Sequence, residues 1–323
     1  MFIEVILILI GFVLLIKGAD FLVEGACNIA KKFRIPEMVI ALTIVSIGTS
    51  LPELVVSIGS AVNGHSDISV GNVIGSNMAN LFLILGSCAI VKPLIYKKQT
   101  KYVENFINLG ATLLLFVVAN GLVNHNVITR SEGFILFLCT VAFICYNLYM
   151  AKNAKKISKH SIEKASFIEL KKINIWKSIL MIIMGIILLK FGGDFVVNNA
   201  VLLAQRFGLS QKLIGLTIIA VSTSLPELLT SLTAAFKGET DMAIGNILGS
   251  QIFNVFLIIG TSAIISPINY SPSYNNDIII LLFGTFFMCL NPFFGKKDTM
   301  TRYNGIMFVS VYVIYILVTI FTA

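Results

Sequence analysis

The sequence predicts an all-α integral membrane protein with ten transmembrane helices in two inverted five-helix repeats. Three observations carry that prediction. Of the 323 residues, 57% are hydrophobic and only 12% charged, against about 25% charged in ordinary soluble domains. Residues 20–93 align with residues 194–267 at a constant offset of 174 without a gap, and 32 of those 74 pairs are identical. Each copy is centred on a proline and a glutamate inside a long apolar stretch, GTSLPE from Gly48 to Glu53 and STSLPE from Ser222 to Glu227.

A spanning helix needs about 20 apolar residues. Segments of that kind fall at 2–26, 37–62, 69–91, 103–122 and 131–150, then at 178–203, 212–236, 241–265, 277–294 and 303–322. The run from Phe2 has no basic leader and no small-residue cleavage motif after it, so it reads as the first span and not as a signal peptide. The expected organisation is a first half over 1–151, a basic connector over 152–177 holding eight lysines, and a second half over 178–323. The connector reads as an amphipathic surface helix or a linker, and no folded soluble domain is expected. Five spans per repeat is an odd number, so the second copy enters the membrane from the opposite side. Inverted repeats of this kind, with a site near the bilayer midplane, are an architecture of secondary transporters. Chance similarity between apolar sequences does not place Asp20 with Asp194, Pro52 with Pro226 and Asp67 with Asp241 in one register.

Lysine and arginine placement sets the orientation. With the amino terminus outside, the inner connectors hold 19 of these residues and the outer ones only Arg130, Arg206 and Lys212. Both termini are therefore expected on the outer, periplasmic side of a bacterial inner membrane. The net charge of +8 does not point to a nucleic acid, because the charges cluster in short connectors and no nucleic-acid motif accompanies them. The five cysteines, at 27, 88, 139, 145 and 289, lie in apolar segments without CxxC spacing and read as core or lipid-facing fillers. Neither disulfides nor zinc are expected from them. His65, His125 and His160 all fall in connectors, which leaves the spans without a histidine ligand or base.

The two breaks carry the chemistry. A carboxylate at bilayer depth is costly and marks a functional site. Proline donates no backbone hydrogen bond and pushes its predecessor out of helical geometry, so Pro52 and Pro226 interrupt their helices. Irregular backbone at that depth survives only where it is buried in protein or lines a polar cavity. Thr49 with Ser50, and Thr223 with Ser224, add hydroxyls beside the freed carbonyls. Carboxylate, hydroxyl and carbonyl oxygens gathered at one depth describe a site for a hard cation, and two copies describe two halves of one site.

The third and eighth spans repeat a second motif, GNVIGSNMAN from Gly71 to Asn80 and GNILGSQIFN from Gly245 to Asn254. Ser76 and Asn80 are four residues apart and share a helix face, as do Ser250 and Asn254. Gly71, Gly75, Gly245 and Gly249 lie on a neighbouring face, where they serve either ordinary small-residue packing or close backbone approach to the site.

Together these paired motifs resemble the two alpha repeats, here 37–91 and 212–265, of the calcium/cation antiporter superfamily, the sodium/calcium exchangers. The prokaryotic calcium/sodium antiporters of similar length are the most alike, and the resemblance covers essentially the whole chain. It implies an antiporter that exchanges Na+ for Ca2+ by alternating access and works as a monomer in the lipid bilayer without a cofactor. Ions would bind at the midplane, between the broken second and seventh helices and the third and eighth. Calcium ligation is implied for Glu53 and Glu227, helped by carbonyls of Thr49 and Thr223. Sodium ligation is implied for Ser46, Ser50, Ser76, Ala220, Ser224 and Ser250, some through backbone oxygens, with Asn80 and Asn254 lining the chamber. Several family members carry an aspartate where Asn254 stands, often linked with potassium dependence, and amides at both positions speak against potassium co-transport. The sliding of helices one and six in that family gives a possible setting for Lys17 with Asp20 and Lys190 with Asp194, which otherwise read as local ion pairs within helical reach.

Two carboxylates balance one Ca2+ or two Na+, whereas an empty chamber leaves two buried charges facing each other, which gives obligatory exchange a physical basis. A third Na+ would make the cycle electrogenic, as the resemblance implies. The alternatives are a cation/H+ antiporter, in which protons compete for the same glutamates, a metal-dependent intramembrane enzyme, which needs a base or nucleophile beyond two glutamates, and a channel, which is usually built from several subunits or symmetric rings.

Overall fold

A computed structural model describes residues 2–64, 66–121, 126–158, 173–206, 223–294 and 298–322. The described residues are almost entirely helical. Among the described residues eight helices are long and apolar enough to cross a membrane, and two shorter helices, bent by 49° at a break, make a ninth when counted as one span. The expected tenth span, 212–236, begins outside the described residues, which take it up only from Thr223.

Helix α1 (Phe2–Phe33) runs past the expected end at residue 26. Its last turn carries Lys31 and Lys32, where the helix dipole favours cations and long stems let the charges reach water. The broken span consists of α2 (Glu37–Thr49) and α3 (Leu51–Val62). After it come α4 (Ile68–Val91), α5 (Thr100–Gly121) and α6 (Arg130–Ser158). The second half supplies α7 (Ile175–Arg206), α8 (Leu225–Lys237), α9 (Thr240–Ile265), α10 (Pro272–Phe293) and α11 (Arg302–Thr322). Helices α4 and α9 form the centre, with 78% and 83% of their apolar stretches buried, whereas α6 and α11 are buried over only 22% and 17% and leave most of their apolar surface exposed. That layering explains how motifs rich in Asn, Ser and Gly sit in a membrane protein: they belong to its two most buried spanning helices.

The sequence repeat reappears as exchanged contacts. Helices α1 and α7 cross at glycines, and a Cβ added to Gly18 would stand 2.9 Å from the Gly185 carbonyl oxygen. Without lipid-exposed bulk at the crossing, backbone packing replaces side-chain interdigitation. Two short antiparallel ribbons tie the halves together: β1 (Leu94–Ile95) pairs with β4 (Thr299–Met300), and β2 (Val127–Ile128) pairs with β3 (Ile268–Asn269). Each is extended by one bond of the same kind, Tyr96 N–H to Asp298 O at 2.9 Å and Tyr270 N–H to Asn126 O at 2.8 Å. Asn126 and Asp298 both adopt positive φ, 60° and 56°, a conformation that Asn and Asp tolerate better than other side chains. Tyr96 and Tyr270 are themselves 174 residues apart.

The charged pairs differ from the local reading. Lys190 does meet Asp194 on α7, at 3.1 Å. Asp20 on α1 instead meets Lys237 at the end of α8, at 2.8 Å. The repeat aligns Lys237 with Asn63, so among the described residues Asp20 pairs with a cation of the opposite half and Asp194 with one of its own.

Candidate ion-binding site

Both breaks have the same local geometry. Ser50 lies at φ −86°, ψ 11° and Ser224 at φ −87°, ψ 4°, in the bridge region between helix and strand. Pro52 and Pro226 then occupy the first turn of α3 and α8, where the missing N–H costs no helical bond. Glu53 and Glu227 follow in those same first turns, at the positive end of the helix dipole. The backbone thus delivers a carboxylate at each break.

The two carboxylates are held by the opposite half and by α4. The Ser50 hydroxyl donates to Glu227 Oε1 at 2.9 Å. The Ser76 hydroxyl lies 3.4 Å from Glu53 Oε1 and 3.4 Å from the Thr223 hydroxyl. Glu53, Glu227, Ser50, Ser76 and Ser224 are all buried. Among the described residues Oε2 of each glutamate, the Ser224 hydroxyl and the Ser250 hydroxyl have no hydrogen-bond partner. Unpaired buried oxygens of this kind call for a proton or a cation.

Two asparagines that sequence reasoning did not single out brace this arrangement. Asn72 donates to the Ser57 hydroxyl at 3.0 Å and to the Glu53 carbonyl at 3.3 Å, and the Thr223 hydroxyl lies 3.5 Å from its Oδ1. Its repeat equivalent Asn246 donates to Ser231 at 2.9 Å and takes the Thr49 hydroxyl at 3.2 Å. Each therefore links a serine of its own half to the threonine of the other half's break. The signal was present in the sequence, because both stand four residues before the motif serine and repeat in register.

The other expected residues divide. Ser46 is buried on α2, with its hydroxyl 3.2 Å from the Thr43 carbonyl, and packs where Gly249 lets α9 approach. Asn254 donates to Asn77 Oδ1 at 2.9 Å. Asn80 is buried with neither side-chain atom partnered among the described residues. Asn77 in turn reaches the backbone carbonyl of Gln251, its own repeat equivalent, at 3.4 Å, so the pseudo-symmetry relation passes between α4 and α9 at this level. Ala220 lies outside the described residues. A 310 Å3 cavity reaches the first break from one side, lined by Gly48, Thr49, Leu51, Pro52, Val55 and Val56, by Ile186, Leu189, Lys190 and Asp194 of α7, and by Pro226.

Residues 3–149 and 177–321 match the family model for sodium/calcium exchanger proteins. The chain belongs to the sodium/calcium exchanger family. Among its relatives, the putative antiporter CaxA of Alkalimonas amylolytica is 35% identical over 98% of both chains. The inner membrane protein YrbG of Escherichia coli is 35% identical over 85% of this chain and 84% of its own. Solved structures of the sodium-calcium exchanger NCX_Mj superpose with a TM-score of 0.81 at 29% identity, covering 98% of both chains. The all-helical exchanger fold and its membrane setting follow. Sodium/calcium exchangers are transporters, so the paired acids belong to an exchanger family and not to an intramembrane enzyme.

Proposed function

We propose that the protein exchanges Na+ for Ca2+ across the membrane at one site shared by its two halves. The observation that carries this reading is the pair of half-satisfied carboxylates, each bound through one oxygen and open at the other. A hard divalent ion takes six to eight oxygens. Glu53 and Glu227 supply the charged ones, and the carbonyls of Thr49 and Thr223 extend the set. The Na+ ions draw on Ser46, Ser50, Ser76, Ala220, Ser224 and Ser250, and Asn80 and Asn254 line the same chamber. One Ca2+ or two Na+ neutralise the two acids, so loaded carriers cross between orientations at lower electrostatic cost than the empty one.

In this reading the protein acts as a monomer with both termini outside, and it sits in the inner membrane, the location in the name of YrbG. The 310 Å3 cavity beside α3 and α7 is then an outward-facing entrance to the site, and access alternates when α1 and α7 shift across the core. The test is mutual exclusion at equilibrium. Ca2+ should raise the thermal stability of the purified protein, and Na+ should displace Ca2+ competitively, with more than one Na+ per Ca2+. Additive binding of both ions would reject a shared site.

A further inference from the structure

Away from the paired breaks, three metal-ligating side chains converge where α1, α2 and the α8–α9 connection meet. The Cys27 sulfur, a Glu37 carboxylate oxygen and a Glu239 carboxylate oxygen all lie within 4.8 Å of one another. Cys27 is 94% buried by its 6% exposure and has no hydrogen-bond partner of its thiol among the described residues. Glu37 and Glu239 are about 20% and 30% exposed, which opens the cluster to water on the acidic side. The two carboxylate oxygens lie within 4.8 Å of each other, so a cation beside both relieves their repulsion. Here Lys31 takes that role, with its ammonium 4.0 Å from Glu37 and 3.8 Å from Glu239. That side chain is 54% exposed and is free to swing into solvent.

We propose that Cys27, Glu37 and Glu239 form a binding site for a soft divalent metal ion of the Zn2+ or Cd2+ class, separate from the transported ions. Ligand atoms of a tetrahedral zinc site stand about 3.3–3.8 Å apart for bonds of about 2.0–2.3 Å, which small side-chain rotations supply from the present spacing. A thiolate selects such an ion over Ca2+ and Na+, which prefer oxygen alone. Binding replaces the Lys31 ammonium, forms the metal–sulfur bond and releases the thiol proton to water. Because the ligands come from α1, α2 and the connection into α9, the bound ion fastens α1 to the core. Slowed exchange is the consequence, and that clause alone rests on the Na+/Ca2+ reading above.

The test titrates Cd2+ into the purified full-length protein in excess Ca2+ and Na+, following the ultraviolet Cd–thiolate charge-transfer band. One saturable band is expected, lost in Cys27→Ser and kept in Cys145→Ser, the exposed cysteine. Glu37→Gln and Glu239→Gln, both at partly exposed positions, should each weaken the midpoint by about tenfold or more. No saturable band, a band that survives Cys27→Ser, or midpoints unmoved by both glutamine variants would overturn the site. In vesicles Zn2+ should inhibit Na+-driven Ca2+ uptake by the parent protein and not by Cys27→Ser. Uninhibited uptake with the band present would overturn the fastening, and no Na+-driven uptake in metal-free vesicles would reject the exchange reading while the band still reports on the site.

Discussion

The Ser50 hydroxyl donates to Glu227 Oε1 at 2.9 Å, although 177 residues separate them. The first half therefore positions the acid of the second, while Glu53 is held by Ser76 of its own half, which itself meets Thr223 of the second break. Replacing Ser50 with alanine removes a hydrogen bond to a charged group, worth roughly 1.5–3 kcal/mol. Ser50→Ala should fold and insert normally but bind Na+ roughly ten- to a hundredfold more weakly, measured as the Na+ concentration that half-displaces Ca2+. An unchanged value would place Ser50 outside the ion path.

Glu53→Gln and Glu227→Gln keep the shape of the side chain, and each removes half the charge that balances Ca2+ in the proposed site. Each should abolish Ca2+ transport, with affinity down by on the order of a hundredfold, while the protein still purifies as a folded species. Calcium flux retained by either purified variant would show that these carboxylates are not the primary ligands.

Asn72→Ala and Asn246→Ala strip partners from Ser57 with Thr223 and from Ser231 with Thr49. Leaving buried hydroxyls unsatisfied costs about 1–3 kcal/mol. Both variants should melt at lower temperature, and their loss of Ca2+ affinity should be smaller than that of the glutamate variants. A larger affinity loss with unchanged stability would make the asparagines ligands and not braces.

Asn80 and Asn254 are amides, so among the described residues the proposed site has two acids and no further carboxylate to balance a K+ ion. Calcium flux should therefore proceed without K+, and Asn254→Asp should introduce K+ sensitivity or stronger proton competition. The assay imposes Na+ and K+ gradients separately with the membrane potential clamped. Strict dependence on K+ in the parent protein would refute the amide argument.

For topology, cysteines introduced near Lys164 should be labelled only from the cytoplasmic side and cysteines near Asn275 only from outside. Labelling of both from one side would overturn the inverted ten-span arrangement.

Much of this was legible in the sequence because proline and glutamate are conspicuous in apolar segments. The break at Ser50, the acids in the first turns of α3 and α8, and the polar faces of α4 and α9 all follow from local rules of helix geometry. What stayed hidden depends on which faces meet. Asn72 reads like any polar residue until Ser57, on the neighbouring α3, is brought within 3.0 Å. Asp20 has a lysine three residues before it, yet its partner is Lys237, more than two hundred residues later, because α1 leans on the end of α8. Cys27 looks like an apolar filler and is buried as one, but folding sets it beside Glu37 and Glu239. The span limits shifted for a simpler reason: lysines in the last turn of α1 prolong the helix instead of ending it.

The central claim is that one shared pair of acids is loaded with Na+ or with Ca2+. It is tested most directly by uptake of radiolabelled Ca2+ into vesicles containing the purified protein, with Na+ and H+ gradients imposed one at a time. Uptake should be driven by an outward Na+ gradient, fall as pH is lowered because protons compete for Glu53 and Glu227, and vanish in both glutamine variants. Uptake driven by a proton gradient and indifferent to Na+ would contradict the account and make the protein a cation/H+ antiporter.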